Sequence, residues 1–378
     1  MTVKMTHKER VKRAFAFNDA DRVPLDIGGL NVTSLHVLAE RNLASALGMT
    51  LDRQVIGSFN QQSVIVDERI LQHFDADFRV LYARDGNQWA PSGDGEFVRD
   101  EYGIDYQLAP NDLYYDFARH PLADADLDAI ERHRFADPRS EHRIADFAER
   151  IERYGREYAL VLEGSRDSVF GISSWLRGME QFFMDLAEDS PIAEALMDKV
   201  VQQQIDVFDF ILGRFGRQID IVRIGDDLGS QRGLLISPDS YRAKVKPRHA
   251  RLVKAIKEMA DCKVVIHSCG AIREILPDLI EIGIDAINPV QVTCDGMDLA
   301  GLKRDFGGKL VFWGGGVDTQ QVLCSASPEE VRQVVRETLH VFGPGEGYVF
   351  AQVHNIQPDV PVENIIAMYE AFNENAAG

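Results

Sequence analysis

Short apolar runs alternate with helical segments along most of this chain, and no other sequence feature limits the fold as strongly. Each run ends in polar or glycine residues, and the segments between the later runs carry apolar residues spaced by three and four. A further run, ADFRVLYA from residue 76, is weaker. The seven clear runs are RVPLDIGG from 22, YALVLEGS from 158, IDIVRIGDD from 219, KVVIHSCG from 263, DAINPVQ from 285, KLVFWGGGVD from 309 and GYVFAQVH from 347.

Apolar strands that are separated by helices predict a parallel sheet whose strands are buried on both faces. Eight strand and helix units predict an α/β fold of the (β/α)8 TIM barrel type. A doubly wound sheet is the alternative, because the sequence does not reveal whether the first and last strands meet. Ser-Pro pairs at 237–238 and 327–328 predict helix starts at those positions.

Residues 86–157 interrupt the alternation with glycines, charged pairs and aromatic-rich short runs, followed by an acidic segment rich in Asp and Ala. We interpret this segment as an insertion that forms a small antiparallel hairpin and then one or two helices over one mouth of the barrel. Apart from it, residues 1–378 are predicted to form a single barrel domain, since barrels of this kind reach such lengths.

The chain is strongly acidic, with 60 Asp and Glu against 41 Lys and Arg and a net charge of -19. This charge opposes binding to nucleic acid and to anionic membrane surfaces. The first residues carry charge without a following apolar run, and no stretch of 18 apolar residues occurs, so neither a secretory signal nor a membrane span is expected. The expected location is the cytoplasm.

Polar side chains gather where the predicted strands end, and in a TIM barrel these ends converge on the active site. No comparable set of polar residues stands at the strand starts, which supports this direction of the barrel. The strand-end residues are Asp26, Glu163, Asp226, Asp227, His267, Cys269, Gln291, Asp318 and His354.

His267 and Cys269 stand two residues apart, so on a strand their side chains point to the same face. Imidazole and thiolate together suit zinc, and His354, at the end of a later strand, is the predicted third ligand. Two His and one Cys would leave zinc with one net positive charge and an open position for a thiol or water. The alternative is that His267 and Cys269 are packing residues at a barrel end.

Asp226, Asp227 and Glu163 are predicted catalytic residues, together with His354. Adjacent carboxylates could hold a substrate or raise each other's pKa to give a general acid, although a helix cap or a loop ion pair is the plainer interpretation. Gln291 and Asp318, which also belong to the strand-end set, are assigned to cofactor binding.

The four cysteines are too few and too scattered for a disulfide framework. Cys294 and Cys324 lie beyond strand ends and are reserve candidates for a fourth ligand. Cys262 precedes its strand, so it belongs at the opposite end and is expected to be inert.

Four segments resemble the uroporphyrinogen decarboxylase superfamily, which includes zinc-dependent, cobalamin-linked methyltransferases as well as the tetrapyrrole decarboxylase. The resemblance covers nearly the whole chain and implies a (β/α)8 barrel. The segments are THKERVKRAFAFNDADRVPLDIGG, IGDDLGSQRGLLISPDSYR, VVIHSCGAIREILPDLIEIGIDAINPVQ and AQVHNIQPDVPVENIIAMYEAF.

In the methyltransferase branch, the resemblance implies zinc ligands from a His-x-Cys pair and from a Cys after the last strand. His267 and Cys269 match the pair, while His354 stands where those enzymes have Cys. The change retains a competent ligand but lowers the electron donation that makes a zinc-bound thiolate nucleophilic.

The decarboxylase branch has a catalytic His at the place of His354 and an arginine-rich segment that grips substrate carboxylates. This chain has no such basic motif after Arg22. The leading hypothesis is therefore a zinc-dependent enzyme that moves a methyl group between a small methylated substrate or thiol and a corrinoid (cobalamin) carried by a partner protein. The alternatives are a metal-independent decarboxylase of a tetrapyrrole or other carboxylate substrate, and a non-catalytic protein that binds a corrinoid or a small ligand in the barrel mouth. A homodimer is expected from general frequencies.

Overall fold

The computed structural model describes residues 5–86, 89–91, 95–164 and 168–377. Parts of the predicted insertion (87–88 and 92–94) and the last residue of the run from 158 lie outside these ranges. The strands are β1 (Val55–Ser58), β2 (Ser63–Ile65), β3 (Phe78–Tyr82), β4 (Ala90–Pro91), β5 (Val98–Arg99), β6 (Asp105–Leu108), β7 (Tyr115–Arg119), β8 (Ala159–Glu163), β9 (Ile221–Gly225), β10 (Lys263–His267), β11 (Ala286–Asn288), β12 (Val311–Trp313) and β13 (Tyr348–Val349).

The first helix packs Val11 and Phe15 against a small apolar cluster of the sheet, and other helices pack against its larger core or form part of the insertion. The α-helices are α1 (His7–Phe15), α2 (Val37–Ala46), α3 (Glu68–His73), α4 (Leu127–Arg132), α5 (Phe147–Tyr154), α6 (Phe170–Arg177), α7 (Met179–Ala187), α8 (Pro191–Phe215), α9 (Pro238–Ser240), α10 (Lys246–Met259), α11 (Leu276–Glu281), α12 (Leu299–Phe306), α13 (Val322–Ser325), α14 (Pro328–Val341) and α15 (Val362–Asn375). Both Ser-Pro starts are confirmed: the side chains of Ser237 and Ser327 accept hydrogen bonds from the first turns of α9 and α14.

Seven parallel strands form the main sheet, in the order β13-β12-β11-β10-β9-β8-β3. The sheet is curled, since one segment touches both edges. Leu25 forms a parallel bridge with Phe350 beside β13, and its carbonyl accepts a hydrogen bond from the N–H of Asp77 next to β3. The run from 22 therefore contributes a single bridge rather than a regular strand. An α/β fold with a parallel sheet is confirmed.

The strands are buried on both faces, which explains their continuous apolar sequences. Alternate residues such as Val161, Ile221 and Val265 belong to a small cluster on the concave face. Their neighbours, among them Leu162 and Val264, join the larger core shared with the helices. The two-residue period of a strand thus sorts the side chains between the interior and the helical layer.

Ion pairs fasten the amino-terminal end of the sheet. Asp77, just before β3, is fully buried and is paired with Arg10 at 2.5 Å, Arg22 at 2.7 Å and His7 at 2.8 Å. The N–H of Leu25 donates to the same carboxylate at 2.7 Å. This cluster joins α1 and the segment from 22 to the main sheet.

The segment between β3 and β8 forms more than the hairpin predicted from the sequence. Strands β4 to β7 make a four-stranded antiparallel sheet, and α4 and α5 follow it. Buried residues of this part, such as Tyr102 and Tyr106, pack with Leu196 and Val200 of α8. Within the described ranges, no helix combines the length and apolar character needed to cross a bilayer.

Candidate metal centre

Polar side chains replace apolar ones on the concave face at the carboxyl ends of the central strands. Glu163, Arg223 and His267 each stand two residues after a side chain of the small apolar cluster, so they project into the same interior. Asn288 follows the same rule on β11, whereas Trp313, at the matching position of β12, still belongs to the apolar cluster. All five are buried.

His267, Cys269 and His354 come together at this end of the sheet. Their ligand atoms all lie within 4.8 Å of one another. Nε2 of His267 is 3.4 Å from Sγ of Cys269, and the two imidazole centroids are 5.6 Å apart. The structure thus brings together three residues that are up to 87 positions apart in the sequence.

The ring of His267 is held by groups of the sheet itself. Its Nδ1 lies 2.8 Å from Oδ1 of Asn288, and the amide of Asn288 donates through Nδ2 to the carbonyl of Trp313 at 3.1 Å. Because this second bond fixes the amide, Oδ1 is an acceptor and Nδ1 of His267 carries the proton. The lone pair of Nε2 is then directed at Cys269 and His354.

The ring of His354 is also held through Nδ1, but by residues that follow β13. Its Nδ1 is 2.5 Å from Oδ1 of Asn355, and this oxygen also accepts a hydrogen bond from Nε2 of Gln357 at 2.8 Å. Nδ1 of His354 must therefore donate, which leaves Nε2 as the free acceptor. Both histidines present Nε2 to a common point.

Burial lowers the pKa of His267 and of His354, because a charged imidazolium would lose its hydration there. The nearby positive charge of Arg223 acts in the same direction on both rings. The imidazoles are consequently neutral at physiological pH, which is the form that binds a metal ion.

The position of Cys269 depends on a close approach of two glycines. Gly270 has φ of +93°, and a Cβ on it would lie 2.4 Å from the backbone of Gly229. The N–H of Cys269 donates to Oδ1 of Asp227 at 2.8 Å, and the N–H of Gly270 donates to Oε1 of Gln291 at 2.7 Å. Gln291, assigned to cofactor binding from the sequence, thus supports the loop that carries the thiol.

Asp227 and Asp226 are adjacent in sequence but have different environments. Asp227 has a half-exposed side chain whose Oδ1 lies 3.7 Å from Nε2 of His267. Asp226 is fully buried and accepts hydrogen bonds from the N–H groups of Val169, Phe170 and Gly171 at the start of α6 and from His249 at 2.6 Å. Of the two predicted acids, only Asp227 lies beside the cluster, and Asp226 anchors a helix.

Glu163 lies on the floor of the site in a buried ion pair. Its Oε1 is 3.2 Å from Nη1 of Arg223, and its Oε2 accepts from the N–H of Asn31 at 3.0 Å. Burial raises the pKa of Glu163. Asp26, another strand-end acid, is bound by Gly29, Thr33 and Trp313, and burial raises its pKa to about 7.

The remaining predicted residues lie apart from the three-residue cluster. Asp318 is buried and accepts through Oδ2 from the N–H of Gln321 at 2.7 Å. The thiols of Cys294 and Cys324 donate to Gln231 and to backbone oxygens after β12, respectively. Cys262 precedes β10 at the opposite end of the sheet, where burial raises its pKa to about 12.

Sequence reasoning missed the residues that hold the ligands in place. Asn288, Arg223 and Asn355 carry no recognisable motif, although Asn288 and Arg223 do stand at strand ends two residues after an interior side chain. That alternation could have identified them. Asn355 and Gln357 follow β13 in an irregular segment, so no periodicity indicates their direction.

The donor set fits zinc. Nitrogen and sulfur ligands at about 2.1 and 2.3 Å from a tetrahedral ion lie about 3.6 Å apart, close to the 3.4 Å between His267 and Cys269. Both imidazoles are neutral, and the other nitrogen of each ring is hydrogen-bonded, as is usual for metal-bound histidine. His267, Cys269 and His354 could hold the ion and leave a fourth position open.

A family model and several known proteins are similar to this chain. The family model described as Uroporphyrinogen decarboxylase (URO-D) matches residues 98–375. Uroporphyrinogen decarboxylase from Alkalilimnicola ehrlichii is 25% identical over 68% of each chain, and that from Legionella pneumophila is 28% identical over 48% of each. The chain thus matches about half the length of the Legionella relative.

Among solved structures, a methyltransferase from Methanosarcina mazei is similar, with a TM-score of 0.65. The alignment covers 98% of this chain and 99% of that chain at 19% sequence identity. At this identity the similarity concerns the fold.

Proposed function

We propose, from the premise that this chain belongs to the uroporphyrinogen decarboxylase family, that it is a zinc-dependent enzyme of methyl transfer. The observation that carries the proposal is the convergence of His267, Cys269 and His354, whose ligand atoms lie within 4.8 Å of one another. An acid-base site for decarboxylation has no need of a thiol beside two neutral imidazoles. Nitrogen and sulfur donors with an open position are what zinc requires to bind a thiol.

Bound zinc would lower the pKa of a substrate thiol or polarise the leaving group of a methylated substrate. The protein residues would supply the surroundings for this chemistry. Asp227, half-exposed beside His267, can orient a substrate at the mouth of the barrel. The buried ion pair of Glu163 with Arg223 lies on the inner side of the site. Asp226 has a positioning role, because its oxygens already bind the start of α6.

Several features of the proposal rest on the family resemblance. The methyl group would pass to or from a corrinoid on a partner protein, and the other substrate would be a small methyl donor or a thiol. A cytoplasmic location and a homodimer belong to the same proposal. The bonds of Leu25 to both edges of the sheet support a closed (β/α)8 barrel, with its mouth at the carboxyl ends of the strands.

Decarboxylation of a carboxylate substrate is the second candidate, because the curated relatives reported above are uroporphyrinogen decarboxylases. The ion pairs of Arg22 weaken this candidate for a tetra-acidic substrate. Its guanidinium binds Asp75 and Asp77 at the amino-terminal end of the sheet, away from the candidate site. A decarboxylase would retain its activity in the presence of a chelator.

The test is elemental analysis of protein purified without added metal or a metal-binding tag, beside the His354→Ala variant. We expect about one zinc per chain in the parent protein and its loss in the variant. His340→Ala, on the outer helix α14, is the matched control and should retain the metal. Absence of metal from the parent protein would contradict the proposal and turn the search to decarboxylation.

A further inference from the structure

A cavity of about 460 Å³ lies between the β1–β2 hairpin and the segment that follows β3. Tyr82, the last residue of β3, lines it and pairs in register with Glu163 of β8, so the cavity borders the same end of the sheet as the candidate metal centre. Its described lining includes none of the three ligand residues of that centre. The walls include Arg53, Val55, Ile56, Phe59, Tyr82 and Trp89.

The hairpin exposes apolar surface to this cavity. Val55 and Ile56 of β1 are each 38% exposed, and Ile65 of β2 is only half-buried. Gly57 lets the hairpin backbone lie against the ring of Tyr82, because a Cβ at this position would be only 3.3 Å from the ring. Apolar surface in a concave wall is stabilised when an apolar ligand removes it from water.

Aromatic rings form another part of the wall, and their contacts hold them in place. The centroids of Phe59 and Trp89 are 4.5 Å apart, with the ring planes at 38°. Phe59 also packs at 4.5 Å against Tyr115 of the insertion, and Nε1 of Trp89 donates to Oδ2 of Asp85 at 2.5 Å. Rings held in this way can stack against a planar ligand without first being ordered.

Two guanidinium groups give the cavity a positive charge. Arg53 is exposed and makes no hydrogen bond or ion pair with any residue in the described ranges. Arg84 is 3.6 Å from Asp146, and Asp85, which also lines the cavity, accepts from the indole of Trp89. In a chain with 60 Asp and Glu against 41 Lys and Arg, a guanidinium without an acid partner is open to an external anion.

We propose that this cavity binds a planar aromatic carboxylate, with the ring against the aromatic and apolar walls and the carboxylate on the guanidinium of Arg53. The cavity volume lies in the range of small-molecule sites, about 300–1,000 Å³. A guanidinium offers two parallel N–H donors that match the two oxygens of a carboxylate. The site requires no metal ion, so it stands apart from the proposed zinc chemistry.

Isothermal titration calorimetry with 2-naphthoate tests the proposal. We expect binding that weakens about tenfold in Arg53→Ala, because a charge-assisted hydrogen bond is lost, and to the same extent for the uncharged 2-naphthamide with the parent protein. Arg156→Ala is the matched control, since Arg156 is also exposed and without a partner in the described part of the chain, but precedes β8 at the opposite end of the sheet. No binding of 2-naphthoate, or equal binding by Arg53→Ala and the parent, would overturn the proposal.

A second variant examines the stacking of the ligand. Phe59→Leu retains an apolar side chain but removes a ring, and it should weaken 2-naphthoate by about two- to tenfold while leaving cyclohexanecarboxylate unchanged. An equal effect on both ligands would contradict the preference for an aromatic ring. Should Phe59→Leu unfold, Arg53→Ala decides alone, because the side chain of Arg53 is exposed.

A carboxylate could also bind directly to a metal ion, so the titration is repeated with chelator-treated protein. We expect the same Kd, because the described lining contains no residue of the candidate metal centre. Loss of binding after chelation would place the ligand on the metal and overturn the proposal. Unchanged binding in a protein that holds no zinc would support this site and refute the proposed function.

Discussion

The two ends of the main sheet both carry buried polar groups, but they use them differently. At the amino end, each oxygen of Asp77 is bonded to positively charged or N–H donors from His7, Arg10, Arg22 and Leu25. At the carboxyl end, His267 and His354 are bonded through Nδ1, and their Nε2 atoms converge with the thiol of Cys269. Saturated polar groups stabilise a fold, whereas converging lone pairs provide a place for a ligand.

The largest expected effect is a loss of zinc affinity at the carboxyl end of the main sheet. Cys269→Ser should abolish stoichiometric zinc binding, with a loss of affinity greater than the roughly 100-fold of an outer-shell change. The side chain is partly exposed, so the unfolding free energy of the metal-free protein should change by no more than about 0.5 kcal/mol. Chelator competition and urea unfolding measure the two quantities. Cys324→Ser is the control, and full zinc occupancy in Cys269→Ser would remove this residue from the site.

At the amino end of the main sheet, a substitution should lower stability and leave zinc binding unchanged. Asp77→Asn leaves Arg10 and Arg22 without their buried counter-charge, and we expect a loss of about 3–5 kcal/mol in the free energy of unfolding. Urea unfolding measures it, with zinc content expected to be unchanged. Asp75→Asn, whose side chain is about half exposed, should cost no more than about 1 kcal/mol. Equal effects of the two substitutions would mean that burial of the charge is not the cause.

A third substitution compares two buried asparagines. Asn288→Ala removes the acceptor of Nδ1 of His267, and we expect zinc affinity to fall by about 10- to 100-fold. Asn364, in α15, is equally buried but binds the carbonyls of Leu323 and Ala326 away from the site. Asn364→Ala should lower the melting temperature and leave zinc affinity unchanged in the same chelator assay. Similar affinities in both variants would contradict the role of Asn288.

The smallest expected effect is a dependence of the unfolding free energy on pH in the acid range. Burial by itself would raise the pKa of Asp77, but the hydrogen bond from His7 and the charges of Arg22 and Arg10 lower it below the usual value. The contribution of Asp77 is therefore complete above its unfolded pKa of about 3.9 and is lost as the pH falls through the lower folded pKa. The difference in unfolding free energy between parent and Asp77→Asn should shrink below about pH 4. A difference as large at pH 2 as at pH 7 would argue against ionic pairing.

The strand and helix alternation could be predicted from the sequence, because it follows from local periodicity. Strands such as β8 to β10 and the Ser-Pro helix starts lie where the apolar pattern indicates them. For the insertion, the sequence predicts a two-stranded hairpin, whereas the structure has a four-stranded sheet. Its β4 and β5 are two residues long, and pairs that short leave no clear alternation in the sequence.

The sequence by itself determined the residue types and the end of the sheet at which they stand: His267 and Cys269 two apart after a strand, and His354 after a later one. Only the tertiary structure decided that the carboxylate of Asp226 binds the first N–H groups of α6, while Asp227 lies beside His267. It also decided that Asn288, Asn355 and Gln357 direct the imidazoles. The physical reason is that strand periodicity fixes the face of a side chain, whereas the direction of a hydrogen bond depends on partners that are remote in the sequence.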